Sequence, residues 1–155
     1  MPQIVKGGKY LFGWSKVGNN GKIKIPPEAY KEYNLKLDKC AILFSGSKTS
    51  GGFGLSSVRI LRNSIMIELI DKNNLLANYK ISEGEIIEFK IKKYCWLTIH
   101  EDKNIKLPEM TLKAFGINKN DTLLSGRGSH LAIGFIAKGP IYEEAKKHPE
   151  IEIFE

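Results

Sequence analysis

The residues with the clearest chemical potential in this chain are lysines at alternating positions. Lys22 and Lys24 bracket Ile23 and are followed by Ile25. A strand through them turns both ammonium groups to one side and both isoleucines to the other. Lys16 precedes the Gly18-Asn19-Asn20-Gly21 stretch, and a hairpin there carries it to the same side. Three like charges on one sheet face repel one another. A phosphate backbone relieves that repulsion and adds the gain from counterion release. Double-stranded DNA is therefore the expected partner, weighed against an ordinary solvated face. Lys103 and Lys106 form a second, weaker set, and Lys31 and Lys113, on the exposed sides of short helices, complete the candidates. Arginine occurs only at positions 59, 62 and 127. Because bidentate arginine contacts to guanine dominate direct base readout, a lysine surface predicts phosphate contact and recognition of DNA shape.

Other reactive side chains do not combine. His100, His130 and His148 lack metal-ligand spacing, and no Ser/His/Asp or Cys/His set is visible. Cys40 and Cys95 each sit in an apolar run and read as buried thiols. The loop Ser45-Gly46-Ser47-Lys48-Thr49-Ser50-Gly51-Gly52 lacks the first glycine of a phosphate-binding loop and reads as a hairpin turn. No enzyme activity, metal or cofactor is expected.

The charge balance fits a polyanionic partner: +7 over 155 residues, with a pI near 9.3. Residues 14–53 carry seven lysines against three acids, whereas 96–135 carry five basic side chains against four acidic ones. The last twenty residues are net acidic. The polyanion-facing surface is thus expected in the first half. Seven Phe, six Tyr and two Trp in a chain 42% hydrophobic argue for a packed core. No apolar run approaches the roughly 18 residues of a membrane span. The opening Met1 to Gly8 has no apolar leader core, so a cytoplasmic protein is expected.

The elements that must position these lysines emerge from a repeat. Sliding the sequence by 82 places sets Trp14 on Trp96, Ile23-Lys24 on Ile105-Lys106, Pro26 on Pro108, Lys31 on Lys113, Gly46-Ser47 on Gly128-Ser129 and Gly52-Phe53 on Gly134-Phe135. These are nine identities in forty positions, where chance gives about two or three. Each copy reads as a strand ending at Pro26 or Pro108, a helix of about two turns, then a hairpin. Gly116 is placed to stop the second helix in a left-handed conformation. The division is 1–58 for the first copy, 59–93 for intervening strands, and 94–155 for the second copy with a C-terminal extension. The runs 58–61, 65–70 and 86–91 are expected to be those extra strands, a tail helix is expected around 141–147, and a last strand at 151–153. The whole is expected to be mostly β with short helices. Trp14 and Trp96 should be buried at equivalent places.

The stretch from Lys16 to Ala29, with a basic-hydrophobic pair, a turn ending in Gly-Lys, an alternating strand, Ile-Pro and an acid in the first helical turn, resembles the opening of AbrB/SpoVT-type regulators. The stretch Phe115-Gly116-Ile117-Asn118-Lys119-Asn120-Asp121 is similar to the later part of the same pattern. In the second copy, Lys103 replaces the turn glycine. The resemblance implies a duplicated swapped-hairpin β-barrel in a tandem, MraZ-like arrangement. It also implies a transcription regulator that lays a basic strand face on duplex DNA. It leaves open whether the copies pair within one chain or in a homo-oligomer. The alternative within the same superfamily is a MazE-antitoxin-like module that uses the acidic tail to hold a protein.

Overall fold

The computed structural model describes residues 9–155; the Met1 to Gly8 segment, read above for a leader, lies outside the described residues. The first copy runs through β1 (Leu11–Lys16), β2 (Lys22–Lys24), α1 (Pro27–Glu32), β3 (Cys40–Ser45) and β4 (Phe53–Ser56). The intervening segment holds α2 (Val58–Arg62), α3 (Ile67–Lys72), α4 (Asn74–Ala77) and β5 (Ile87–Phe89). The second copy follows as β6 (Lys92–Thr98), β7 (Asn104–Lys106), α5 (Glu109–Ala114), β8 (Thr122–Arg127) and β9 (Ile133–Ile136), then α6 (Pro140–Ala145) and β10 (Ile153–Phe154). Shifted by 82 places, β2, α1 and β3 fall on β7, α5 and β8 residue for residue. The αL residue that ends each helix is also kept: Gly116 has φ 71°, as its glycine predicts, and Asn34 fills the same role in the first copy with φ 54°.

The strand pairing crosses between the copies. β1 pairs antiparallel with β8, Trp14 opposite Leu124 and Lys16 opposite Thr122. β3 pairs with β6 in the equivalent register, Ile42 opposite Trp96 and Cys40 opposite Thr98. β4 pairs with β9 through Phe53 and Phe135, which are repeat equivalents and so lie on a pseudo-two-fold axis. Ile23 and Ile105 meet in the same self-equivalent way in the separate β2-β7 ribbon. The large sheet has the order β10-β1-β8-β9-β4-β3-β6-β5.

Two expectations are corrected. Among the described residues the sheet is open, with β10 and β5 as edges, so the strands do not close a barrel, and at 31% strand and 24% helix these residues are mixed rather than mostly β. Two of the three intervening runs are helical. Short apolar runs do not distinguish strand from helix by themselves. Here the Ser57 Oγ accepts the Ile60 N–H and starts α2, and Leu61, Leu69, Ile70 and Leu76 are buried as one cluster. Only the run containing Ile87-Glu88-Phe89 becomes a strand, pairing with β6. The expected tail helix and last strand correspond to α6 and β10, the latter parallel to β1.

The main core lies between one face of the sheet and the ribbon with its flanking helices. It holds Ile23, Ile25, Leu43, Phe53, Leu97, Ile105, Leu107, Phe115 and Phe135. Phe53 and Phe135 stack with centroids 4.8 Å apart. Two smaller clusters cover the other face: α2 to α4 over Ile42 and Tyr94, and the C-terminal extension over Leu11, Leu124 and Ile136. The tryptophans fall in these two clusters and are half-buried rather than buried as expected. Trp14 meets the edge of Tyr142, whereas the Trp96 indole N–H donates to the Ile81 carbonyl at 2.9 Å. Their backbone positions are equivalent; their covers come from segments outside the repeat.

Candidate nucleic-acid interface

Alternation along the ribbon sorts its side chains by face. Ile23 and Ile105 are fully buried in the core, so Lys22 and Lys106 stand opposite each other on the outer side, with Lys24 opposite Asn104. The ribbon is closed at both ends by backbone bonds, Leu107 N–H to the Gly21 carbonyl at 3.0 Å and Ile25 N–H to the Lys103 carbonyl at 2.8 Å. Each bond requires a left-handed residue at the preceding turn: Gly21 has φ 80° and Lys103 φ 66°. A Cβ on Gly21 would overlap the Leu107 carbonyl oxygen. Lys103 adopts the glycine conformation despite its side chain, and its ammonium lies 5.3 Å from the Tyr30 ring centroid.

Of the expected lysines, the structure gathers some and not others. Lys22 and Lys106 border one depression of about 510 Å³ with Asn20, His100, Asp102 and Asn104. Lys16 and Lys22 border another of about 280 Å³ with Asn20 and Asn120. Lys24 is half-buried on the same ribbon, its carbonyl accepting the Ser15 hydroxyl at 2.8 Å. Lys31 and Lys113 are exposed on α1 and α5, away from the ribbon strands, and Lys113 borders a separate depression with Glu109 and Lys119.

The positive face is not uninterrupted. Lys22 Nζ lies 3.5 Å from an Asp102 oxygen, and Lys16 Nζ 3.9 Å from Glu155. Both pairs are exposed, and solvent screening leaves each of little worth. The Asn104 side chain and the Lys22 ammonium hold the Asp102 carboxyl below the usual aspartate range. Asn104 is itself buried, and its Oδ1 has no hydrogen-bond partner among the described residues. Sequence reasoning named Lys106 only as a secondary site and missed its place opposite Lys22. The repeat contained that signal: once Ile23 and Ile105 pair with each other, antiparallel geometry makes Lys22 face Lys106.

Two of the three arginines are tied up in ion pairs with the protein's own acids. Arg59 donates to both Asp38 oxygens, at 3.2 and 2.8 Å, and to the Tyr33 carbonyl at 3.0 Å. Arg127 makes a two-pronged pair with Glu32, both bonds 2.6 Å, and lies 4.5 Å from the Tyr10 ring centroid. Its guanidinium holds the Glu32 carboxyl below the usual range. Beside it the Tyr33 hydroxyl donates to the Ala132 and Ser129 carbonyls, and burial pushes its pKa up to about 12. This network ties α1 of one copy to the hairpin of the other.

The Ser45-to-Gly52 loop is a hairpin turn, with Gly51 N–H bonded to the Ser47 carbonyl at 2.8 Å and no long helix following. Both cysteines are free; Cys95 is buried and Cys40 only half so. Among the described residues no three His, Cys, Asp or Glu side chains are grouped to hold a metal, and no helix is long and apolar enough to cross a membrane. The acidic tail lies along the chain's own sheet, Trp14 N–H donating to the Glu152 carbonyl at 2.8 Å and Ile151 buried. Compared with known proteins, the chain matches no protein-family model and no curated protein.

Proposed function

We propose that this protein is a DNA-binding regulator that lays the outer side of its β2-β7 ribbon on duplex DNA, in the manner of AbrB/SpoVT-type proteins with two interleaved copies in one chain. The observation that carries this reading is the ribbon itself. Its isoleucines are wholly buried on one side, with the pseudo-two-fold axis passing between them, and Lys22 and Lys106 face each other on the other side, beside that axis. Lys16, Lys24 and Lys103 add charge around them. Lysines position a protein on phosphates without reading bases, and two of the three arginines are paired internally, which favours modest sequence specificity. The crossed pairing of β1 with β8 and of β6 with β3 is the connectivity that swapped hairpins give, here in an open sheet. A MazE-like role for the acidic tail has less support, because that tail already adds a strand to β1.

The test is binding to AT-rich and GC-rich duplexes at several salt concentrations. Each phosphate contact contributes about −0.9 to the log-log salt slope, so the Lys16→Ala/Lys22→Ala/Lys24→Ala variant should flatten it by about two to three. Both duplexes should weaken by similar factors. An unchanged slope in the folded variant removes this face from DNA binding.

A further inference from the structure

The face of the sheet turned away from the main core carries two covers, the α2–α4 cluster and the C-terminal extension, and they do not meet. Between them lies a groove of about 260 Å³ centred on β4 and β9. Its open floor is Gly134, which pairs in the sheet between Gly54, covered by the Phe44 ring, and Gly126, covered by the Lys9 stem. The Phe44 ring stands over Gly54 as one wall; a Cβ at Gly54 would overlap it. The stem of Lys9 runs along Gly126 as the other wall, its ammonium 4.0 Å from where a Gly134 Cβ would be. Lys92 places its ammonium 5.7 Å from the Phe44 centroid.

The polar side chains around this floor, two lysines and four serines, can all donate. No acidic side chain lines the groove. Lys9 and Lys92 have no acid partner among the described residues. Ser45, Ser47 and Ser129 each accept a backbone N–H on Oγ, from Lys93, Ser50 and Leu131, at 3.0, 3.1 and 3.0 Å. Their hydroxyl protons are thereby left to point elsewhere. A flat glycine floor with an aromatic wall suits a planar apolar body, and two ammonium groups with serine hydroxyls suit its negative charge.

We infer that this groove is a binding site for a small planar organic anion, an aromatic carboxylate of one or two rings, lying on Gly134 against the Phe44 ring with its carboxylate toward Lys9 or Lys92. The inference does not depend on the DNA reading, since the ribbon packs against the opposite side of the sheet.

The probe is 2-naphthoate, with neutral 2-naphthylmethanol as its control, titrated into the full chain by calorimetry and followed by amide NMR shifts. Naphthoate should saturate with shifts centred on Gly134 and Phe44, and the alcohol should bind at least tenfold more weakly. The Lys9→Ala/Lys92→Ala variant should lose at least tenfold in naphthoate affinity. Gly134→Ala tests the floor: a Cβ there meets nothing closer than 3.8 Å, so the fold tolerates it while a methyl rises under the ring. It should weaken naphthoate several-fold at unchanged Tm. Absence of saturable binding, equal affinity for the alcohol, or indifference to the two lysines overturns the assignment. Each of these outcomes leaves the salt-slope test of DNA binding untouched.

Discussion

Replacing Gly21 by alanine probes the ribbon on which the lysines stand, and the repeat supplies its own control. At φ 80° an L-residue is disfavoured by about 1–2 kcal/mol. The added methyl also overlaps the Leu107 carbonyl, so β7 must retreat from the turn. That movement weakens the Leu107 N–H bond to the Gly21 carbonyl, worth about 0.5–1.5 kcal/mol, and strains close-packed surroundings by about 1–3 kcal/mol. The expected loss is about 3–5 kcal/mol, a fall in Tm of about 10 °C or more for a chain of this size. Lys103→Gly at the equivalent turn should do much less. It relieves a left-handed lysine worth about 1 kcal/mol but gives up the Tyr30 contact, worth about 0.5–1 kcal/mol, so the net change should stay within about 1 kcal/mol. Urea unfolding followed by tryptophan fluorescence measures both. A Gly21→Ala loss below about 1 kcal/mol refutes the claim that backbone contact at this turn fixes the ribbon.

Three further outcomes are expected. Asp102→Asn removes the acid that pairs with Lys22 and should tighten duplex binding about two- to fivefold at low salt, measured by fluorescence anisotropy; no change at any salt concentration would take Lys22 out of the interface. Tyr33→Phe reproduces the Phe115 of the other copy but removes the hydroxyl's bonds to the Ser129 and Ala132 carbonyls, so unfolding should show a loss of about 1 kcal/mol. The alkaline limb of stability should be steep, because burial pushes both Cys95 and Tyr33 up to about 12. Their neutral forms are favoured in the fold, so the stabilisation is complete below the unfolded values of about 8.5 and 10 and is lost as pH rises from there to about 12. Each group contributes a slope of up to about 1.4 kcal/mol per pH unit, and a Cys95→Ala variant should flatten the lower part of that limb.

How much of this was legible in the sequence depends on what set each feature. The repeat units were readable because strand alternation, Ile-Pro and the helix-stopping αL site are local signals; β2, α1 and β3 and their mates lie where that pattern put them. The intervening segment was misread because its apolar runs are short, and its helices are decided by a cap at Ser57 and by packing on Ile42 and Tyr94. The tryptophans kept their equivalent registers, but their exposure depends on covers that the repeat does not encode. Within the candidate interface, Lys22 and Lys24 followed from periodicity. The acids beside Lys22 and Lys16, and the buried amide of Asn104, follow only from how the turns and the tail fold back, which no spacing reveals.

The exchange of first strands between the copies bears on how the protein is made. The Ser125 hydroxyl donates to the Gly13 carbonyl across 112 residues, and β3 waits for β6, about a third of the chain away. Contacts of such separation slow folding, since the loop must close before the pairing stabilises it. During synthesis the first copy emerges with β1 and the outer edge of β3 both unpartnered. Its first strand matches the register of its own hairpin's missing neighbour, because the two copies share one pairing scheme. Two nascent chains held close together could therefore satisfy each other before either satisfies itself. A fragment ending near residue 58 should accordingly be isolated as a dimer joined through β1 and β3, and spacing between ribosomes on one message should govern how much full-length chain is trapped that way.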